Sequence, residues 1–487
     1  MLQPLRSFFL RLSRCAEVAG SKRALAQPGA VLSYAQLVER VRGVAQWATV
    51  LPARVGLLCG RTIDAVIADL ALAYAGKELV PLPDFFSDGQ LSHLIRAARL
   101  SDAVADSVSA ERLKRLGLSV WSLGCESTPA LEPASDSARI IFTSGTTGRP
   151  KGVHSSARQM LASIDALAGA TLAAASDRYL SLLPGALLLE QTAGTYLPLS
   201  VGAEIHLPGL VSPASIAAAA QTVNPTATVL VPELLAAWLA ELQTLGCRAP
   251  ASLRYVAVGG APVSSRLAAA AWDQGVPVHE GYGLTECCSV VAANRPGRRR
   301  AGTVGTPLSR VAVTIDNGEI VVSSPTVMNG YLDEPLASNR WHTGDLGHFD
   351  EDGFLIVTGR RDNLIVTAAG RNISPEWIEE TIAADRRIRR CVVIADQGEL
   401  VAVIAPHDSS LLPGSGALKE LIADAGRDLP NYAKPRRCLV LSEQEFRALD
   451  LLTRNSRPRR SAIHRLVRRS NGSFSPQLGK EERCLPI

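Results

Sequence analysis

No stretch of the sequence approaches 18 uninterrupted apolar residues, so no membrane span is expected. The apolar patch at the start, MLQPLRSFFLRLSRCAEVAG, is broken by Arg6, Arg11 and Arg14 before it reaches signal-peptide length and reads as an amphipathic first helix. The nine cysteines show no C-x-x-C pair and no His/Cys spacing suited to zinc. They are scattered singly apart from Cys287 and Cys288, and read as reduced thiols of a cytosolic protein. Nor does one sign of charge dominate. The 51 basic against 46 acidic residues leave +5, too little over this length to imply nucleic acid as a partner, while anionic small molecules stay compatible. The P-loop pattern G-x-x-x-x-G-K-[ST] is also absent, because Gly148 is followed by Arg149 and Pro150 before Lys151.

What is present is a globular composition, 47% hydrophobic over 487 residues, enough for a large core and more than one domain. Ser33 precedes a helical pattern as an N-cap, and RVGLLCG, a helix after Asp64 and LVPLP set a βαβ rhythm that repeats at 91–100 and 103–105. Downstream, 155–175 reads as helix, TATVLVPELL as strand then helix, and ASLRYVAVGGAPVSSRL as strand, glycine turn and a helix capped by Ser264 or Ser265. The segment GTVGTPLSRVAVTIDNGEIVVSSPTVMNGYLD reads as a small β unit, with a hairpin turn at Asp316–Gly318.

One stretch does not pack a core. In RIIFTSGTTGRPKGV, the end of a buried strand gives way to Thr143, Ser144, Gly145, Thr146, Thr147 and Gly148, followed by Lys151. Hydroxyl donors, glycines that permit positive φ and close backbone approach, and a mobile cation describe a phosphate cradle. Two glycines after a β-branched strand, Gly259 and Gly260 with Ala261, put amides at a strand's carboxyl end, where open α/β sheets bind ligands. In GYGLTE, Tyr282 offers a flat ring between glycines and Glu286 a hard oxygen ligand suited to Mg²⁺.

TSGTTGRPKG resembles the phosphate-loop signature of the adenylate-forming enzymes: acyl- and aryl-CoA synthetases, adenylation domains and luciferases. GYGLTE, the T-G-D of HTGDLG and GRRDNL resemble three further signatures of that family, in order. The resemblance implies an α/β fold, with a large N-terminal AMP-binding domain of βαβ-type sheets and a small β unit over 1–361, and a small mobile α+β lid over 362–470. A tail over 471–487 reads as disordered. It implies that Tyr282 packs on adenine, Thr285 contacts the α-phosphate, Glu286 holds Mg²⁺ and Asp345 accepts the ribose hydroxyls. Arg360 would reach ribose or phosphate, Asp362 would be the hinge, and Gly370 would lie beside a pantetheine thiol. Ser374, Pro375 and Glu376 have a sufficient local reason as cap and first turn of a helix. The segment from Tyr179 to Leu207 would help wall the acyl pocket. Leu187 stands near a position where relatives often carry His or an aromatic residue, and Glu190 and Gln191 either line the pocket or look at solvent.

The implied activity is an ATP-dependent, AMP-forming acid–thiol ligase. A carboxylic acid, fatty or aryl rather than amino acid, becomes acyl-AMP and then a thioester with CoA or a carrier protein's phosphopantetheine. The resemblance further implies adenylation, acyl-CoA synthesis and fatty acid metabolism in the cytoplasm, without nucleic acid or integral membrane association. The chain departs from the family at LLTRNSRPRR, where alignment on Thr453 and Asn455 puts Ser456 at a glycine and Arg457 at the catalytic lysine. Arginine and lysine are not interchangeable at a geometric site. Arg457 substitutes, or Lys434 or Arg459 takes the role, or the protein is a catalytically impaired nucleotide- and acyl-binding homologue. The seven arginines between Arg454 and Arg469 read equally as a solvated basic tail.

Overall fold

The computed structural model describes residues 4–126, 131–143, 150–209, 211–336, 338–366, 372–397, 399–407, 421–422, 424–427, 429–453, 456–470 and 484–486. The chain divides into two compact units. The first holds 1–314, 321–342 and 351–355; the second holds 315–320, 343–350 and 356–487.

The first unit is built on two large sheets. In one, nine-stranded, Val278–Leu284, Tyr255–Val258, Ala227–Leu230, Arg178–Leu180, Glu204–His206 and Arg23–Gln27 run parallel in that spatial order, flanked by antiparallel edges. In the other, eight-stranded, Ala138–Thr143, Glu78–Pro81, Arg54–Leu58, Asp102–Ala105 and Ser119–Trp121 are parallel, and Lys151–Ser156, Gly330–Tyr331 and Glu334–Pro335 add antiparallel strands. Helix crossovers cover the parallel strands, so those strands are apolar on both faces, as in Ala227–Leu230, all four of whose residues are buried. The first helix, Pro4–Ala19, is amphipathic as expected: Leu5, Phe8, Phe9 and Leu12 are buried, and Phe8 stacks on Tyr196 at 5.0 Å. The caps follow the sequence. Ser33 forms a capping box with Gln36, and Ser264 rather than Ser265 caps Ser265–Asp273.

The expected small β unit is divided. Ala312–Asp316 and Glu319–Ser323 are neighbours in a four-stranded sheet, with Asn317 and Gly318 both at positive φ as a two-residue hairpin requires. Gly330–Tyr331 instead joins the eight-stranded sheet, because its register matches Tyr331 to Val153 and Gly330 to His154.

The second unit contains a sheet ordered Ile388–Asp396, Glu399–Pro406, Arg437–Val440, Cys484–Pro486. Its strands alternate with period two. Cys391, Val393, Ala402 and Ile404 pack on Ile378 and Ile382 of Pro375–Ala383, while Val392, Ile394, Val401 and Val403 pack on Phe446, Ile463 and Val467. The arginine-rich run is thus not a solvated tail. Arg460–Ser470 is a helix that buries Ile463 and Val467, and Arg460 ion-pairs with Glu376 and Glu379 at 3.0 and 2.6 Å. Within the segment read as disordered, Cys484–Pro486 pairs with Arg437–Leu439.

Candidate active site

The strand leading into the phosphate-loop sequence and the strand leading out of it form an antiparallel hairpin whose last rung pairs Thr143 with Lys151. Ser144, Gly145, Thr146, Thr147 and Gly148 lie outside the described residues. Their anchors are fixed. Ile140, Ile141 and Phe142 are buried, and the carbonyl of Pro150 lies 3.1 Å from Nε2 of His93. At the far end of the strand, Arg139 is buried and forks onto Asp69 at 2.6 and 2.7 Å, with further bonds to Tyr196 and Gln191. That satisfied, bidentate geometry is what a buried guanidinium needs. Lys151 is exposed, its Nζ 5.0 Å from the centroid of the Tyr331 ring.

The two glycine motifs come together at one end of the nine-stranded sheet. Val258 pairs with Glu280, so Gly259–Ala261 leave the sheet beside Gly281 and Tyr282. A Cβ on Gly259 would sit 3.2 Å from the carbonyl oxygen of Gly281, and Gly260 has φ +83°. Gly283 is required outright, since a Cβ there would lie 1.8 Å from the carbonyl oxygen of Ser289. Tyr282 is buried between these glycines. The strand ends in the 3-10 turn Thr285–Cys287, where Thr285 and Glu286 are half-buried. Cys288 and Ser289 follow with φ of 51° and 91°, a left-handed pair of non-glycine residues of the kind that clusters at functional sites. Burial pushes the Cys288 thiol up to about 12.

Glu286 is held on both of its sides. Its carbonyl accepts the Met328 N–H at 2.8 Å, and its Oε1 accepts the Tyr331 hydroxyl at 3.0 Å. No hydrogen bond among the described residues engages Oε2. Nor do the described residues contain a cluster of three or more His, Cys, Asp or Glu side chains that could cage an ion. A single half-open carboxylate fits Mg²⁺, which commonly takes one or two carboxylates and completes its shell with water and substrate phosphates.

Glu190 and Gln191 are buried, 2% and 3% exposed, so neither looks at solvent. They open a π-helical stretch, Glu190–Tyr196, an unusual element often found at functional sites. The Ser181 hydroxyl donates to Glu190 Oε1 at 2.5 Å, while Oε2 is buried without a partner among the described residues. Desolvation by burial raises the Glu190 carboxyl to about 7, opposed by the Ser181 bond and the charge of Arg61.

In the second unit, Asp345 sits inside the strand Arg340–Phe349 rather than in a turn, with Gly344 at φ +73° supplying the local bend. Asp345 is buried. Its N–H donates to Thr343 Oγ1 at 3.0 Å, and the Thr343 hydroxyl donates to the Ile320 carbonyl at 2.7 Å. Arg360 reaches Asp345 Oδ1 at 3.1 Å, so these two predicted residues meet. Asp362 is exposed in the 3-10 turn Arg361–Asn363, and Gly370 lies outside the described residues. Ser374 caps Pro375–Ala383, with Pro375 in its first turn, as the sequence indicates.

Arg457 closes a tight loop. Leu452 bridges Pro458, the Thr453 N–H donates to the Arg457 carbonyl at 2.8 Å, and the Arg457 N–H donates to Thr453 Oγ1 at 3.0 Å. Ser456, at the position where the resembled family has glycine, has φ 54°, which explains why glycine suits it. Arg457 is exposed at this loop, and Arg459 is ion-paired with Asp450 at 2.8 Å.

A family profile described as AMP-binding enzyme matches residues 12–332, about two thirds of the sequence. The chain belongs to the AMP-binding enzymes. Among curated relatives, this AMP-binding enzyme is 26% identical over 449 residues to a long-chain-fatty-acid–CoA ligase of Mycobacterium bovis, covering 74% of each chain. It is 30% identical over 339 residues to a 2-succinylbenzoate–CoA ligase of Bacillus velezensis, covering 65% of this chain and 68% of the relative. Its fold is that of the O-succinylbenzoate CoA synthetase of Bacillus subtilis solved in complex with ATP and magnesium ion. The TM-score is 0.78 at 23% identity, covering 88% and 95% of the two chains.

Sequence reasoning missed Tyr331 and the Arg139 network. Tyr331 stands in a two-residue strand, and only a register with a strand far upstream brings it to Glu286. Arg139 opens the very stretch read for phosphates, but its partners Asp69 and Tyr196 are distant in sequence.

Proposed function

We propose that this AMP-binding enzyme is an acid–thiol ligase working in two half-reactions. A carboxylate attacks the α-phosphorus of ATP and pyrophosphate leaves; a thiol then attacks the acyl carbonyl and AMP leaves. A carboxylate is a poor electrophile, and the mixed anhydride with AMP makes its carbonyl attackable. The observation that carries this reading is the meeting of Gly259–Ala261 with Gly281–Gly283 at one strand-end, followed at once by Thr285 and the half-open carboxylate of Glu286.

In this reading Tyr282 packs on adenine beside Gly259, Gly260 and Ala261, and Thr285 contacts the α-phosphate. The hydroxyls and amides of 143–148, with Lys151, bind the β- and γ-phosphates. Bound Mg²⁺, on Glu286, supplies charge neutralisation for the departing pyrophosphate. Asp345 accepts the ribose hydroxyls and Arg360 holds that carboxylate in place. Arg457 is the cation for the carboxylate and α-phosphate in the first step, and Gly370 borders the thiol in the second. The named activities of the two curated relatives support a fatty or aryl acid and CoA as the acceptor.

Pyrophosphate release is the test. Protein, ATP and Mg²⁺ are mixed with a panel of fatty, aryl and amino acids. Release is expected with a fatty or aryl acid, and silence across the panel overturns the ligase reading.

A further inference from the structure

We infer that Tyr331 is a positioning residue that keeps Glu286 and Lys151 apart and aimed, one for a metal ion and the other for the phosphates that ion accompanies. The inference rests on the ligase reading of the same site. An ammonium and a carboxylate at the mouth of one site neutralise each other when they pair directly, and then neither is available to ligand. Among the described residues Lys151 and Glu286 form no ion pair. Tyr331 serves both at once: its hydroxyl donates to Glu286 Oε1 at 3.0 Å, and Lys151 Nζ lies 5.0 Å from its ring centroid. The ring therefore holds the cation by its π charge and the anion by its hydroxyl. Because Oε1 takes the phenol, the second oxygen of Glu286 is the one left for a metal.

The backbone makes this arrangement rigid. Tyr331 pairs with Val153, and Lys151 lies two residues before Val153 on the same strand, hence on the same sheet face as Tyr331. The Leu332 N–H donates to the Gly152 carbonyl at 3.0 Å and the Asn329 N–H to the His154 carbonyl at 2.9 Å. The Met328 N–H bond to the Glu286 carbonyl ties the same short segment to the metal-ligand turn. One edge of the ring meets Trp341, centroids 6.0 Å apart at 76°. That indole provides a fluorescence reporter beside the site.

The test follows ATP binding by tryptophan fluorescence as Mg²⁺ is titrated, with Trp341→Phe identifying the reporting indole. Tyr331→Phe keeps the ring and removes the hydroxyl. It is expected to raise the Mg²⁺ midpoint by about 10- to 100-fold, the loss of one hydrogen bond to a metal-ligating carboxylate, with ATP affinity at saturating Mg²⁺ unchanged. Tyr331→Leu removes the ring as well and is expected to weaken ATP binding even at saturating Mg²⁺. A Tyr331→Phe protein with the parent Mg²⁺ midpoint, while Glu286→Gln shifts it, overturns the positioning role and leaves the ligase reading standing. A parent protein that binds no ATP with Mg²⁺ overturns both. Unchanged melting temperatures separate these effects from misfolding, which would abolish binding at every Mg²⁺ concentration.

Discussion

Two buried ionisable side chains, Glu190 and Arg139, respond to protons and mutation in opposite ways. Glu190 is a carboxyl without a full complement of partners, raised by burial from an ordinary 4.5 to about 7. A group raised in this way contributes stability that is fully present below about pH 4.5 and is lost as pH rises through about 7. The parent protein should therefore lose on the order of 3 kcal/mol between those limits from this group alone. Glu190→Gln, which keeps the acceptor for Ser181, should flatten that part of the profile. Urea unfolding of both proteins at pH 5 and pH 8 reads the difference. Arg139 is the contrary case, a buried charge whose donors are taken up by Asp69, Tyr196 and Gln191. Removing one partner strands the other, so Asp69→Asn or Arg139→Met should each destabilise by about 3–5 kcal/mol in chemical denaturation. Replacing both by apolar residues of similar volume should cost less than either single change.

At the scale of elements, the loop from Leu452 to Pro458 sets what Arg457 can do. Its residue lies exposed on a hydrogen-bonded hairpin, so its substitution changes chemistry without disturbing a core. Arg457→Ala is expected to lower pyrophosphate release by about 10²–10³ while leaving ATP affinity nearly unchanged, the signature of a group used in the transition state. Arg457→Lys should retain or raise the rate. If Arg457→Ala turns over like the parent, this cation is not the catalytic one.

Elements were also where the sequence spoke most clearly. Strand-then-glycine at Tyr255–Gly260, the caps Ser33, Ser264 and Ser374, and the Asn317–Gly318 hairpin could all be read because each depends on a few neighbouring residues. The expected turn at Asp345 turned out to be a bent strand, since the bond from Gly344 N–H to Glu319 Oε1 is contributed by a distant residue. The placement of Tyr331 likewise depends on a pairing between segments far apart in the chain, which local pattern does not carry.

For the molecule as a whole, the chain divides into two compact units, and the proposed chemistry has two half-reactions that need different groups. Asp362 is exposed in a short 3-10 turn that directly follows the strand Leu355–Arg360. Proline at that position fixes φ and restricts Arg361 before it. If the turn is the hinge, Asp362→Pro should reduce thioester formation by about tenfold or more while changing pyrophosphate release far less, because only one half-reaction depends on the lost rotation. Measuring pyrophosphate and thioester in the same reaction checks this; equal losses in both would place the pivot elsewhere.

An enzyme that makes an acyl-adenylate also makes a reagent that can label the enzyme itself. The nearest sulfur in sequence to the Thr285–Glu286 pair is shut away, for Cys287 and Cys288 are both fully buried. With its thiol pushed to about 12, Cys288 stays protonated at neutral pH and is a weak nucleophile. If the proposed ligase chemistry holds, the left-handed turn that hides this sulfur also keeps it away from the activated carbonyl, which is then left for a thiol that arrives from outside.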